Sequence, residues 1–214
     1  MRSLFCLAYF IIALVVPTKM KAQDPFDPVQ DLTAFKKQFE KATSQIKTIK
    51  SKFRQEKNLA MLQEQMISEG DFWFKRSNKI RIEYQRPFQY LLIMSNDEIL
   101  IQDHGKQNRI STKSNKLFQQ INQIILDCVQ GSMLDNTDFA IDAFENKNTY
   151  RLVMKPLQKG LQGFFSEIVV YVSRDDFSVS KLEMFENGGD STVINFWGKE
   201  LNTNVPDSVF DFKQ

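Results

Sequence analysis

One histidine and two cysteines are all that this 214-residue chain holds of those two residue types, and the scarcity removes whole classes of chemistry. No Cys and His fall at metal-ligand spacing, so a structural zinc site is not expected. Cys6 lies within an N-terminal apolar run, which leaves Cys128 alone; no intramolecular bridge can form, and Cys128 reads as a small buried apolar residue on a helix. His104 sits beside Asp103 in a Gly-containing loop with no positioned nucleophile, which makes it a turn residue and not a general base. Glu183, Glu186 and Asp190 fall on one strand and its turn, a poor constellation for acid–base work and a natural solvated face. Glycine is sparse too, at 8 residues, and no helix follows Gly188-Gly189, which is a hairpin turn and not a phosphate loop.

An excess of charge of either sign is also missing. The chain carries 28 basic and 26 acidic residues, a net of +2. Three of the basic residues, Arg2, Lys19 and Lys21, lie in a segment expected to be removed, and 25 against 26 leaves −1. With no basic cluster interleaved with aromatics, nucleic acid is not an expected partner. Nor is there an apolar run long enough to span a bilayer: Leu4 to Val16 carries no charge but stops at Pro17. After the positive start Met1-Arg2-Ser3, that run reads as a secretory signal over residues 1–22, cleaved near Ala22. The exported part, 23–214, is expected to be a single domain, with no cysteine near the cleavage site to take a lipid.

What the chain has in quantity is phenylalanine, 19 residues, within a hydrophobic content of 42%, enough for a packed core. The stretch from Glu69 to Pro87 shows how it is used. Aromatic and β-branched residues alternate on both sides of a turn at Arg76 to Asn78, which predicts a hairpin. Side chains two apart share a face, so Gly70, Phe72, Phe74 and Arg76 point one way, and Ile80, Ile82 and Tyr84 form a second apolar row. One face is therefore apolar, with a single arginine near its rim.

Around this hairpin the pattern is mostly strand. Asp27-Pro28 suits a helix start, and Val29, Leu32, Phe35, Phe39, Ala42 and Ile46 recur at helical spacing after it. Strand-like alternation takes over near Thr48, with Ile49 and Phe53 against Lys50 and Lys52. Phe88 to Met94 is apolar on both faces, so both should meet other groups. Ser95 to Glu98 reads as a turn, Ile99 to Ile101 as a short strand, and Asp103 to Asn108 as a polar loop. From Ser114 to Gly131 the period returns to helical, through Leu117, Phe118, Ile121, Ile124, Ile125, Cys128 and Val129. Strands near 139–144, 149–155, 164–173, 178–186 and 192–198 follow, linked by Asn/Gly/Asp turns. About ten strands and two amphipathic helices predict an α+β fold. The expected architecture is an open, incomplete antiparallel β-barrel with a helical lid over its concave face.

At this level the chain resembles the LolA/LolB-like family of periplasmic lipoprotein carriers. The resemblance rests on Gly70-Asp71-Phe72-Trp73-Phe74-Lys75-Arg76-x-Asn78, the Tyr84-x-x-Pro87 after it, the apolar strand and turn from Ile93 to Ile101, the mid-chain helix, and the closing Val205-Pro206-Asp207-x-x-Phe210-x-Phe212. It implies a non-enzymatic carrier, expected to be a monomer without cofactors. Such a carrier takes acylated lipoproteins from an inner-membrane lipoprotein-releasing ABC transporter and passes them to an outer-membrane acceptor. The acyl-chain cavity would draw on Phe53, Phe72, Phe74, Ile80, Ile82, Tyr84, Leu92, Met94, Ile121 and Ile125, and Arg76 matches the arginine that holds the lid. Ser77 stands where the family usually has proline, and Ile82 where tryptophan is common. Lacking a lipidated cysteine, the chain resembles the soluble branch. A carrier of another lipid or glycolipid, or a lipid-sensing regulator of the same fold, stays open at this point.

Overall fold

The computed structural model describes residues 25–95, 98–111 and 116–211, with the backbone alone at 116–118 and 121. The expected signal segment, the centre of the Ser95–Glu98 turn, the start of the mid-chain helix and Phe212 lie outside the described residues.

In chain order the elements are β1 (Asp27–Pro28), α1 (Leu32–Ser44), β2 (Thr48–Leu59), β3 (Glu64–Lys75), β4 (Lys79–Arg86), β5 (Tyr90–Ser95), β6 (Glu98–Asp103) and β7 (Lys106–Ser111). After these come α2 (Lys116–Gln130), β8 (Phe139–Glu145), β9 (Thr149–Pro156), the short α3 (Lys159–Gln162), β10 (Phe165–Ser173), β11 (Val179–Glu186) and β12 (Ser191–Leu201). One 3-10 turn follows α2 at Met133–Asp135, and a second at Asp207–Phe210 ends the described chain.

Among the described residues all twelve strands belong to one sheet, ordered β1-β8-β9-β10-β11-β12-β2-β3-β4-β5-β6-β7. Two meanders, β2 to β7 and β8 to β12, are joined where β12 pairs antiparallel with β2. The end strands β1 and β7 do not pair with each other, so the sheet curves without closing: an open antiparallel barrel, as expected. The central hairpin also has its expected register, with Phe74 opposite Ile80, Phe72 opposite Ile82 and Gly70 opposite Tyr84.

Three expectations need correction. Asp27-Pro28 is not a helix start but the two-residue β1, paired with Phe144 and Glu145; Val29 N–H continues the pairing to Ala143 O at 3.0 Å. A proline is tolerated on an edge strand because its missing N–H faces no partner. Asp31 caps α1 instead, its Oδ1 accepting from Ala34 N–H at 2.8 Å. The polar stretch 103–108 contains only a two-residue turn, His104 (φ 45°) and Gly105 (φ 77°). Two positive φ values make the tight turn that matches strand twist, so β7 begins directly after it. Lastly, β5 starts at Tyr90, which leaves Phe88 60% exposed. With β1 and β7 added, the expected ten strands become twelve.

Both faces of β5 are covered. Met94 packs inward with Phe74, Ile80 and Ile99, whereas Ile93 and Leu100 pack outward against Val205 and Phe210 of the C-terminal segment. Lys75 and Lys79 pair with Asp207 at 2.9 and 3.2 Å, and Arg81 donates to Val209 O at 3.0 Å, holding that segment on the convex side. The helices take the concave side. Phe35 and Phe39 of α1 pack with Ile124 and Cys128 of α2 against β8 to β10, and Leu126 and Val129 reach over to the first meander. Helix α2 thus bridges the two halves of the sheet.

Candidate functional site

Under α2 the concave face does not close on itself. It encloses a cavity of about 290 Å³, walled by β2 to β5, by β10 to β12, and by Ile124, Ile125, Cys128 and Val129 of α2. Helix α1 contributes no wall residue, so the cover of this cavity is α2.

Seven of the expected cavity residues line the hollow: Phe53, Phe72, Ile82, Tyr84, Leu92, Met94 and Ile125. Phe74 and Ile80 do not. Both are 0% exposed and packed with Ile46 at the end of α1 and Leu126 and Val129 of α2. They share the sheet face with the cavity residues but sit one cross-strand pair nearer the turn, where the helix ends press down. The side chain of Ile121 lies outside the described residues. Strand parity missed the second half of the wall, to which Ile168, Leu182, Met184, Ile194 and Phe196 contribute. Alternation in β11 and β12 carried that signal. It could not say that the two meanders face one cavity.

Aromatic edges shape the wall. Phe53 meets Tyr84 edge-to-face at 5.0 Å between centroids, and Phe72 meets Phe196 at 5.8 Å. Gly70 makes room for the first contact: a Cβ there would stand 2.0 Å from Glu83 O and 3.0 Å from the Phe53 ring. The Tyr84 hydroxyl donates to Gln55 Oε1 at 2.9 Å, and burial, with Tyr90 nearby, pushes its pKa up to about 12. Burial, reinforced by the Asp127 charge, pushes the Cys128 thiol up to about 12 as well, far from a reactive thiolate. Against this apolar background Ser51, Gln55, Ser178 and Lys199 are the exceptions among the wall residues.

The hairpin turn after β3 joins the two helices at the rim. Arg76 Nε donates to Ile46 O at 2.9 Å and its Nη2 to Thr43 O at 2.6 Å, a carbonyl that also accepts from Ile46 N–H at 3.0 Å, so the guanidinium fastens the last turn of α1 and the residues just after it. The guanidinium is otherwise exposed. Two residues on, Asn78 Oδ1 accepts from Gln130 Nε2 at 2.8 Å, the last residue of α2. Gly131 then ends α2 at φ 83°, so close to α1 that a Cβ would stand 1.9 Å from Thr43 Oγ1. Asp127 anchors the same end: buried to 4% exposure, it accepts from Gln123, Ser132 and Asn136 at 2.8, 2.7 and 2.6 Å. The lid is fastened at its C-terminal end.

The polar groups weighed for catalysis are engaged separately. His104 is exposed and bonded to Asp103 at 2.6 Å. Glu183 accepts from Tyr171, Glu186 pairs with Lys57, and Asp190 accepts from Ala60 N–H, so the three carboxylates build no common site. Among the described residues no group of His, Cys, Asp and Glu is placed to hold a metal ion, and no helix is long and apolar enough to cross a membrane.

The chain is similar to several solved structures at low sequence identity. An uncharacterized conserved protein from Thermus thermophilus superposes with a TM-score of 0.54 at 8% identity, covering 83% of this chain and 93% of that one. A LolA superfamily protein from Nitrosomonas europaea gives 0.43 at 9%, covering 82% and 97%. The lipoprotein LppX of Mycobacterium tuberculosis gives 0.43 at 11%, covering 80% and 96%. No curated protein matches the sequence. Residues 44–213 match the model of the family described as outer membrane lipoprotein carrier protein LolA. That span runs from the last residue of α1 to beyond the C-terminal 3-10 turn, and by it the chain belongs to the LolA family.

Proposed function

We propose that this protein is an exported carrier that shields the acyl chains of lipoproteins between the inner and outer membranes, without covalent chemistry. The observation that carries this reading is the apolar hollow of about 290 Å³ left vacant beneath α2. Each methylene moved from water into such a site gains about 0.8 kcal/mol. A lipoprotein therefore crosses an aqueous space far more readily with its chains enclosed. The volume sits at the low end of ligand pockets, which run from about 300 to 1,000 Å³. Cargo with two or three chains would accordingly enter by lifting α2 away from the sheet, about the end fastened by Asp127 and Gly131. In this scheme Arg76 controls opening by holding α1 beside that hinge, and release at the inner membrane and delivery at the outer one fall to membrane partners.

The test is lipoprotein binding and transfer, read by native mass spectrometry of the protein purified from the cell envelope. Acylated cargo should co-purify with the wild type. Ile82→Glu places a charge on the cavity wall and should abolish cargo binding while leaving the circular dichroism spectrum in place. Wild-type cargo loading by the folded Ile82→Glu variant would sink the reading.

A further inference from the structure

A lysine faces the cavity because one strand breaks its own alternation. Along β12 the side chains of Ile194 and Phe196 enter the hollow, and strict alternation would next bring in positions 198 and 200. Instead the register slips: Trp197 pairs with Lys52 and Glu200 with Lys50, so two residues, Gly198 and Lys199, stand opposite Ser51 alone. Gly198 adopts φ 62°, the left-handed conformation that such a bulge requires. From there the inward positions are Lys199, on the wall, and Leu201, packed with the first meander's core. Bulges commonly re-aim a side chain, and this one turns a cation into an apolar cavity.

The ammonium is held but not used up. Lys199 Nζ donates to the Ser178 hydroxyl, which lies on the same wall and is 4% exposed. Ser178 in turn donates through Oγ and N–H to Asp176 Oδ1 at 2.7 and 3.0 Å. Asp176 stands 3.8 Å from Nζ, beyond hydrogen-bond distance, so it balances charge without taking the lysine's protons. An ammonium has three donors, and Ser178 takes one. Burial pulls the Lys199 pKa below its ordinary value, against the opposing pull of Asp176 and Asp175, so an anion reaching it from the cavity would relieve a real desolvation cost.

We infer that the cavity has a second ligand class, a single-chain amphiphile with an acidic headgroup, whose anionic oxygens accept from Lys199 Nζ while its chain lies along Ile194, Leu182 and Met184. The inference rests on the reading of the hollow as an acyl-chain site and adds headgroup selectivity to it. A volume of about 290 Å³ suits one chain without movement of α2.

The experiment compares laurate, dodecyl phosphate and dodecanol as competitors of a fluorescent acyl probe on the delipidated protein. Both acids should bind about tenfold more tightly than the alcohol, the increment of one charge-assisted hydrogen bond. Lys199→Gln should bring that ratio to about one, and Lys199→Arg should restore it. Equal affinities for acid and alcohol in the wild type, or a ratio that survives Lys199→Gln, would overturn the headgroup site while leaving the acyl cavity standing. Displacement of the probe by inorganic phosphate alone would mean a free-anion site and would overturn the amphiphile. Failure of all three amphiphiles to bind the wild type would overturn both this inference and the carrier reading beneath it.

Discussion

Ile80 and Ile82 stand two residues apart on one face of β4, yet they are different tools. Ile80 is 0% exposed under the ends of both helices, so Ile80→Glu buries an unpaired charge and should prevent folding, measured as lost solubility and lost thermal transition. Ile82 borders the hollow, and the same substitution there should spare the fold. Two other wall residues give the protein an alkaline limit. The thiol of Cys128 and the phenol of Tyr84 have folded-state pKa values raised to about 12 from 9.0 and 10.0. A raised folded value contributes stability that is fully present below the unfolded pKa and is lost as pH climbs through the folded one. Denaturant midpoints should therefore start to fall near pH 9 and go on falling toward 12. Cys128→Ala should shift the onset to about pH 10, where Tyr84 begins to titrate in the unfolded chain; an onset unmoved by that substitution would show that the thiol is not the first group to ionise.

At the scale of elements, the lid and the rim depend on a few contacts where α1, α2 and the β3–β4 turn meet. Arg76→Leu removes two hydrogen bonds to the end of α1. The guanidinium is largely exposed, so the cost should be only about 1 kcal/mol, a Tm lowered by about 2–4 °C for a chain of this size. Gly131→Ala should do more damage. It combines an unfavourable positive φ with a Cβ 1.9 Å from Thr43 Oγ1, and the two together predict a loss of about 2–4 kcal/mol. Amide exchange should locate that loss in α1 and α2 while β2 to β4 stay protected; uniform loosening of the sheet would contradict a local junction.

For the whole molecule, a curved sheet with a vacant hollow is in tension between packing and use. The helices bury Phe39, Leu152, Met154 and Val170 fully, which holds the fold, and leave the wall of β2 to β5 and β10 to β12 underpacked. A ligand that fills the hollow binds only the folded state, so it should raise stability by about 2.7 kcal/mol at a hundred times its Kd. Thermal unfolding with and without an acylated peptide checks this. A Tm unchanged at saturating concentration would place binding outside the fold's core.

The sequence by itself determined most of the elements and their faces, because periodicity is a local property: side chains two apart in a strand, or three and four apart in a helix, share a side whatever surrounds them. Phe72, Ile82, Tyr84 and Leu92 were placed that way, and so was Arg76 at the rim. Only the tertiary structure decided depth along each face and departures from alternation. Phe74 and Ile80 have the parity of wall residues but are capped by helices that come from elsewhere in the chain. Lys199 has the wrong parity and reaches the hollow through a bulge whose register is fixed by pairing with β2, some 150 residues earlier. Which residues enclose a space depends on contacts between distant segments, and those are settled only when β12 closes on β2 and α2 lies down across the two halves.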